Sequence, residues 1–229
     1  MKLQLTSLVF VLFASVSAHT ATIAQWTFET NPPADVPDKT EGPTIQADVG
    51  SGVASGLHAS AATDWTTPAG NASGNSFSGN NWNIGDYWQF KVSASDHEDI
   101  IVSWDQTRSS SGPAFFDFSY SIDGVNYFVV SDGFEVAAVT WSTGGSRNPA
   151  SLFTVSLSGK IPTVDDMSDV YFRIVADSAG SAPGGTGRID NFTVSGTAIE
   201  RTSVSTPDAG SSFLLLSLAL AGVAGAYRR

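Results

Sequence analysis

The segment 114–130, AFFDFSYSIDGVNYFVV, decides the fold class of this chain. Its large side chains occupy alternate positions: Phe116, Phe118, Tyr120 and Ile122. In an extended strand such positions share one face, so the pattern predicts a strand with one buried face. Asp123-Gly124 is a turn dipeptide typical of hairpins, and the apolar run that follows it is the returning strand. The segment therefore predicts an antiparallel β-hairpin.

The same alternation recurs along the chain. Further strands are predicted at 23–29, 84–92, 100–105, 134–141, 152–157, 170–176 and 187–194. Only 14% of the residues are charged, which favours strands and turns over helices with many salt bridges. Roughly eight or nine short strands usually close as two antiparallel sheets packed face to face. The sequence thus predicts an all-β, jelly-roll-like antiparallel β-sandwich over residues 19–200.

The first predicted strand places Trp26 and Phe28 on its inward face. In a jelly-roll-like sandwich the first and last strands commonly lie side by side, so 23–29 is expected next to 188–194. Between them, Pro, Gly, Ser and Asn dominate from Asn31 to Asn83. This stretch is predicted to be a long surface loop with at most short strands near Ile45 and Val53.

Composition excludes several functions. The chain of 229 residues has no cysteine, so disulfides and thiolate chemistry are excluded. Its formal net charge is −11. Neutralising phosphates requires a basic face, and the acidic balance therefore argues against nucleic acid as a partner.

The N-terminus predicts a secretory signal. Lys2 is followed by an apolar run to Val16, which is too short to span a bilayer, and small residues precede the bond after Ala18. Residues 1–18 are therefore predicted to be a signal helix that is cleaved on export. The alternative is a buried helix of the domain.

The C-terminus has three parts. Residues 201–212 form a linker that contains Pro207, Asp208 and Gly210, and residues 213–229 form an apolar helix with a terminal Arg pair. A positive end on a short apolar helix is a stop-transfer pattern. This layout resembles the PEP-CTERM sorting signals, in the variant whose motif reads Val-Pro-Asp-Ser-Gly; Thr206 and Ala209 depart from it. The resemblance implies recognition by an exosortase, a membrane protease, and display at the envelope or release to the matrix. A plain membrane anchor is the alternative.

The domain has its own resemblance. The segments 102–108, 118–124 and 187–194 are similar to those of exported β-sandwich domains in PEP-CTERM-tailed proteins. Some of those domains resemble carbohydrate-binding or laminin-G-like modules, and the first of these implies contact with extracellular polysaccharide. Sugar sites usually combine a stacking aromatic ring with planar polar groups. Trp65 and Trp82, in the long loop, are the candidate rings, and the alternative is that they fold back onto the core.

Carboxylates suggest two further sites. Glu29 and Asp190 would meet where the terminal strands pair, and oxygen ligands there could hold a structural calcium; a solvated acidic edge is the alternative. Asp105 and Asp117 each interrupt an aromatic strand, and a glycan-degrading enzyme would use such a pair, although an outward position explains both. We find no catalytic cluster. The sequence therefore predicts a non-enzymatic surface protein that contacts polysaccharide, with a glycan-degrading enzyme or a purely structural coat protein as alternatives.

Overall fold

The computed structural model describes residues 19–201, which form thirteen strands and one 3-10 turn at Pro149–Ser151. The strands are β1 (Thr20–Trp26), β2 (Ile45–Gln46), β3 (Val49–Gly50), β4 (Gly52–Leu57), β5 (Trp65–Thr66), β6 (Phe77–Gly79), β7 (Tyr87–Val92), β8 (His97–Arg108), β9 (Phe115–Ser121), β10 (Phe128–Glu135), β11 (Leu152–Ser156), β12 (Val170–Ala176) and β13 (Gly187–Ala198).

The strands form two antiparallel sheets. Sheet A has the order β11-β8-β13-β1-β3, with β6 also paired to β13 and β5 to β6. Sheet B has the order β10-β9-β12-β7-β4-β2. Rings from the two sheets meet between them: Phe90 of β7 stacks on Phe192 of β13 at 3.6 Å, and Trp104 of β8 on Phe118 of β9 at 5.1 Å. The prediction of an all-β sandwich is confirmed.

The first and last strands pair as expected. β1 runs antiparallel to β13, with Thr20 opposite Thr197 and Trp26 opposite Phe192. β13 is also paired with β8 on its other side, so it lies inside sheet A. Trp26 and Phe28 are both fully buried, as the alternation predicted.

Aromatic rings make up much of the core. Trp26, Trp88 and Phe172 have no exposed surface, and Trp104 has 2%. Edge and stacked ring pairs of this kind contribute about 0.5–1.5 kcal/mol each beyond the apolar area that they bury. Burial and backbone pairing hold the domain together, since the chain has no cysteine.

The hairpin that decided the fold class is present, with a longer connection than the turn dipeptide suggested. β9 and β10 pair with Phe128 opposite Tyr120. Asp123 organises the connection, because its carboxylate accepts the backbone N–H groups of Val125 and Asn126, both at 2.8 Å. The Asn126 side chain also donates from Nδ2 to Asp123 Oδ2 at 2.7 Å. This side-chain bond, followed by the two backbone bonds, stabilises the charged carboxylate and lowers the pKa of Asp123 below its ordinary value.

The stretch from Asn31 to Asn83 is more ordered than predicted. Besides strands at Ile45–Gln46 and Gly52–Leu57, it contributes β5 and β6 to sheet A. Strands of two or three residues are too short to show alternation, which is why composition alone indicated a surface loop.

The predicted sorting segments lie outside the described residues. These are the signal at 1–18, the motif residues Pro207, Asp208 and Gly210, and the apolar helix at 213–229. In the part of the chain that is described, no helix has the length and hydrophobicity that crossing a membrane requires.

Candidate functional site

Asp105 and Asp117 lie on opposite outer surfaces of the sandwich. Their neighbours Trp104 and Phe116 point into the core, so each carboxylate points away from it. β8 belongs to sheet A and β9 to sheet B, and packed sheets lie roughly 10 Å apart. The two groups therefore cannot act together across one glycosidic bond.

Asp105 is nevertheless fully buried, because loops cover this part of sheet A. Arg147 donates from Nε to its Oδ2 at 2.8 Å and from Nη2 to Oδ1. Asn71 and Asn191 donate their Nδ2 groups to Oδ2 at 3.0 and 2.9 Å. The carboxylate thus has a full set of donors and a structural role.

Asp190 lies opposite Asp105 on the neighbouring strand and is also fully buried. It accepts the backbone N–H of Asn71 at 2.9 Å and the hydroxyl of Ser73 at 2.6 Å. Burial raises the pKa of Asp190 to about 6, and the charge of Asp105 adds to this rise.

The two predicted metal ligands, Glu29 and Asp190, both accept hydrogen bonds from the loop at residues 71–75. Asp190 binds Asn71 and Ser73, while the exposed Glu29 accepts the N–H of Asn75 at 2.7 Å. A cation would have to displace these donors. Residues 19–201 hold no group of three or more His, Cys, Asp or Glu that could bind a metal, and a structural calcium stays a prediction.

Trp65 and Trp82 lie in the core. Trp65 is fully buried and donates from Nε1 to Lys39 O at 3.0 Å, and Trp82 is 3% exposed and donates to Gly79 O at 2.8 Å. His58 lies between the two indoles, and burial lowers its pKa to about 3, so it is neutral. In this conformation neither indole presents a face to solvent on which a sugar could stack. Both rings fold back onto the core, which was the alternative to a sugar site.

A different surface carries aromatic and planar polar groups together. On β7 the residues between the buried Trp88, Phe90 and Val92 point outward, and these are Tyr87, Gln89 and Lys91. On β12, Tyr171 and Arg173 alternate in the same way with buried residues. The strands are paired, with Arg173 opposite Gln89 and Tyr171 opposite Lys91. We call these five residues and Tyr127 the sheet B face.

Arg173 is the centre of this face. Its guanidinium carbon lies 3.9 Å from the centroid of the Tyr87 ring and 3.8 Å from that of Tyr127. Gln89 Oε1 accepts both Arg173 Nε and the Tyr127 hydroxyl at 2.9 Å. Burial is the main cause that raises the pKa of Tyr127, so its hydroxyl keeps its proton at neutral pH. The stack is held in one geometry from both sides.

Lys91 and Tyr171 extend the face along the strands. Lys91 Nζ lies 5.2 Å from the centroid of the Tyr171 ring and 2.6 Å from the Asp169 carboxylate. The hydrogen bond with Asp169 raises the pKa of Lys91 and lowers that of Asp169. Both groups are about half exposed, so the ion pair contributes little stability and remains available to a ligand.

Two hollows border the sheet B face. One of about 240 Å³ includes Ser55 and Tyr87, and another of about 280 Å³ includes Val53 and Lys91. Within residues 19–201 the hydrogen bonds of Arg173 use Nε only. The guanidinium Nη groups and the hollows therefore offer donors and space next to aromatic rings.

Sequence reasoning did not single out this face. The alternation in 84–92 already implied that Tyr87 and Gln89 point outward, and an outward tyrosine beside an outward amide was the available signal. Arg173 lies 84 residues from Gln89 in the chain, and no local pattern shows that their strands pair.

Comparison with known proteins finds no family model and no curated protein that match. Solved structures match at low identity. The N-terminal modules of an endo-1,4-β-D-xylanase from Clostridium thermocellum, in a complex with xylohexaose, share 14% identity over 76% of this chain at a TM-score of 0.45. This chain covers 28% of that xylanase chain.

Two shorter proteins are matched almost entirely. The N-terminal cellulose-binding domain of Cellulomonas fimi β-1,4-glucanase C has 15% identity and a TM-score of 0.38, over 79% of this chain and 99% of that one. The K3 adhesin domain of Lys-gingipain from Porphyromonas gingivalis has 11% identity and a TM-score of 0.40, over 76% and 99%. At these identities and TM-scores, the matches assign no activity to this chain.

Proposed function

We propose that this β-sandwich contacts polysaccharide through the sheet B face, without catalysis. The observation that carries the proposal is the stack of Tyr87, Arg173 and Tyr127 with Gln89 bonded to two of its members. Tyrosine rings match the apolar faces of sugars, and planar amide and guanidinium groups match their hydroxyls. Both kinds of group lie here within one rigid patch.

Preorganisation supports this assignment. A long arginine loses side-chain entropy when it binds a ligand, and a ring on each side of Arg173 has already removed most of that freedom. The proposal involves no reaction, because Asp105 is enclosed by its donors and Asp117 points away from the opposite sheet.

The test is affinity electrophoresis of the full chain in gels that contain neutral or acidic glycans, followed by titration calorimetry with the glycan that retards it. We expect retardation by at least one glycan and a loss of affinity of about tenfold or more in R173A, or about 1.4 kcal/mol. K160A is the matched control, because it also removes one cation but from an exposed loop. Equal retardation of R173A and K160A, or none of the wild type, would refute the proposal.

The order of the strands supports a finer description of the fold, a jelly roll. Eight of the strands cross between the sheets in this order along the chain: β1 in A, β7 in B, β8 in A, β9 and β10 in B, β11 in A, β12 in B and β13 in A. The resulting neighbours, β1-β13-β8-β11 and β7-β12-β9-β10, are those of two Greek keys folded together.

We also propose export and envelope sorting, which the sequence at 1–18 and 206–229 supports. Mass spectrometry of the protein from envelope and medium of its host tests this. A mature chain that begins at His19 and ends near Gly210 is expected. An intact C-terminal Arg229 in the membrane fraction would mean a plain anchor instead of an exosortase substrate.

A further inference from the structure

A separate hollow, of about 340 Å³, lies at the end of sheet A where β8 ends and β13 begins. Two arginines line it, Arg108 and Arg188, together with residues that carry hydroxyl groups: Thr107, Ser109, Ser110 and Thr140. No carboxylate is among the described residues that line it. The sheet B face belongs to the other sheet and shares none of these residues.

Arg188 has no partner among residues 19–201, where it forms neither a hydrogen bond nor an ion pair. It is half-buried and lies opposite Thr107 in the sheet. Other described arginines do have partners: Arg147, in the loop before β11, binds Asp105, and Arg173 of β12 binds Gln89. Burial lowers the pKa of Arg188 from its ordinary value, yet a guanidinium stays charged at neutral pH.

The charge balance makes this arrangement unusual. The chain has 22 acidic residues against 11 basic ones, so a carboxylate could easily have been placed beside Arg188. Desolvating a cation without a counter-charge costs free energy unless a partner is supplied. A half-buried arginine that faces a hollow free of acids is therefore suited to an anion from outside the chain.

The walls of the hollow are held in place. Arg108 donates from Nε to Val136 O at 2.9 Å and from Nη1 to Ser110 O at 3.2 Å. Thr107 donates from its hydroxyl to Val139 O at 2.7 Å, which ties the segment after Val136 to β8. Only carbonyl groups accept these bonds, and within residues 19–201 no carboxylate pairs with Arg108 or Arg188.

We propose that Arg108 and Arg188 form a binding site for an oxyanion, a carboxylate or sulfate group. The Arg188 guanidinium can donate two parallel hydrogen bonds to either group, and Arg108 adds its Nη2, which forms no bond within residues 19–201. The hydroxyls of Ser109, Ser110 and Thr140 line the same hollow. The same chemistry is offered by a free inorganic ion and by an acidic polysaccharide that carries uronate or sulfate groups. The site is independent of the sheet B face, so its failure would leave the proposed function unaffected.

The experiment is a titration of the full chain, labelled with ¹⁵N in its arginine side chains, at constant ionic strength. One arm uses sodium sulfate, and the other uses oligogalacturonate. We expect the Arg188 Nε–Hε resonance to shift and saturate on the order of millimolar anion, as suits a small charged contact that buries little area. Saturation by sulfate identifies a site for free oxyanions, and saturation by oligogalacturonate alone identifies one for an acidic glycan.

R188Q and R108Q are the test variants, and K160Q is the control that removes one exposed cation. We expect each test variant to weaken binding by at least tenfold and K160Q to bind as the wild type does. Because Arg188 has no partner in residues 19–201, R188Q should keep the fold, which its thermal unfolding midpoint checks. A wild type that does not saturate with either ligand, or variants that respond as K160Q does, would overturn the proposal.

Discussion

Side chains alternate between inward and outward in both sheets, but the outward side chains of the two sheets differ in how far other residues cover them. Around Asp105 and Asp190, sheet A is covered by residues 71–75 and by Arg147, and both carboxylates are fully buried. On sheet B the corresponding outward residues, among them Gln89 and Arg173, remain partly exposed. Polar residues on a strand thus stabilise the fold where a loop covers them and are available to bind where none does.

The largest expected effect is a difference in the free energy of unfolding between alanine variants of two aspartates, Asp105 and Asp117, which both point outward from their strands. Asp105→Ala leaves Arg147, Asn71 and Asn191 without their acceptor and should lower the free energy of unfolding by about 3 kcal/mol or more. Asp117→Ala loses one hydrogen bond, from Gly133 N, and should cost about 1 kcal/mol. Urea unfolding at neutral pH measures both. Equal losses would show that covering one face has no energetic consequence.

The second effect concerns pH. The pKa of Asp190 is about 6 in the folded chain against an ordinary value of 3.8, so the folded state binds its proton more readily than the unfolded state does. This stabilisation is fully present below about pH 4 and is lost as the pH rises through about 6. Between pH 7 and 4 the wild type should gain about 2 kcal/mol relative to D190N in urea unfolding. If the difference between them stays constant with pH, the carboxylate is not buried as described.

The third effect tests the open face. Tyr87→Ala removes one side of the stack on Arg173 and should weaken glycan binding by about tenfold, or about 1.4 kcal/mol. Tyr87→Phe keeps the ring and should bind within about twofold of the wild type. Titration calorimetry with the glycan that retards the wild-type protein in the gel distinguishes the two variants. If the phenylalanine variant loses as much as the alanine variant, the hydroxyl and not the ring makes the contact.

The smallest expected effect is on the free energy of unfolding and concerns Tyr127 in the sheet B face. Tyr127→Phe removes a hydrogen bond to Gln89 Oε1, which still accepts Arg173 Nε. We expect a loss of about 0.5–1 kcal/mol in the free energy of unfolding, with Tyr87→Phe unchanged as the matched control. A loss as large as that of Asp105→Ala would mean that the open face is also structural.

The sequence predicted much of the fold because alternation is a local signal. It indicated which side of β1 and β9 is buried, and the pairing of the first strand with the last followed from the fold class. It also indicated that Asp105 points outward, but not that it is buried, because the covering residues come from Asn71 and Arg147.

The candidate site was harder to predict for the same reason. Tyr127 precedes β10, and Arg173 belongs to β12, which pairs with β7 although Arg173 and Gln89 are 84 residues apart. Trp65 and Trp82 lie in a stretch whose composition is that of a surface loop, yet their rings complete the core. The sheet B face and the burial of these two tryptophans both depend on contacts between distant parts of the chain, and a single sequence does not show such contacts.

The position of β13 also has a mechanical consequence. A force that pulls on Ala198 along the strand acts on the ladders with β1 and with β8 at once, because β13 is hydrogen-bonded on both sides. Both ladders are antiparallel, and their hydrogen bonds run perpendicular to the strands, so they would be sheared together instead of being opened one by one. A force applied at Ala198 would therefore meet the resistance of both ladders at the same time.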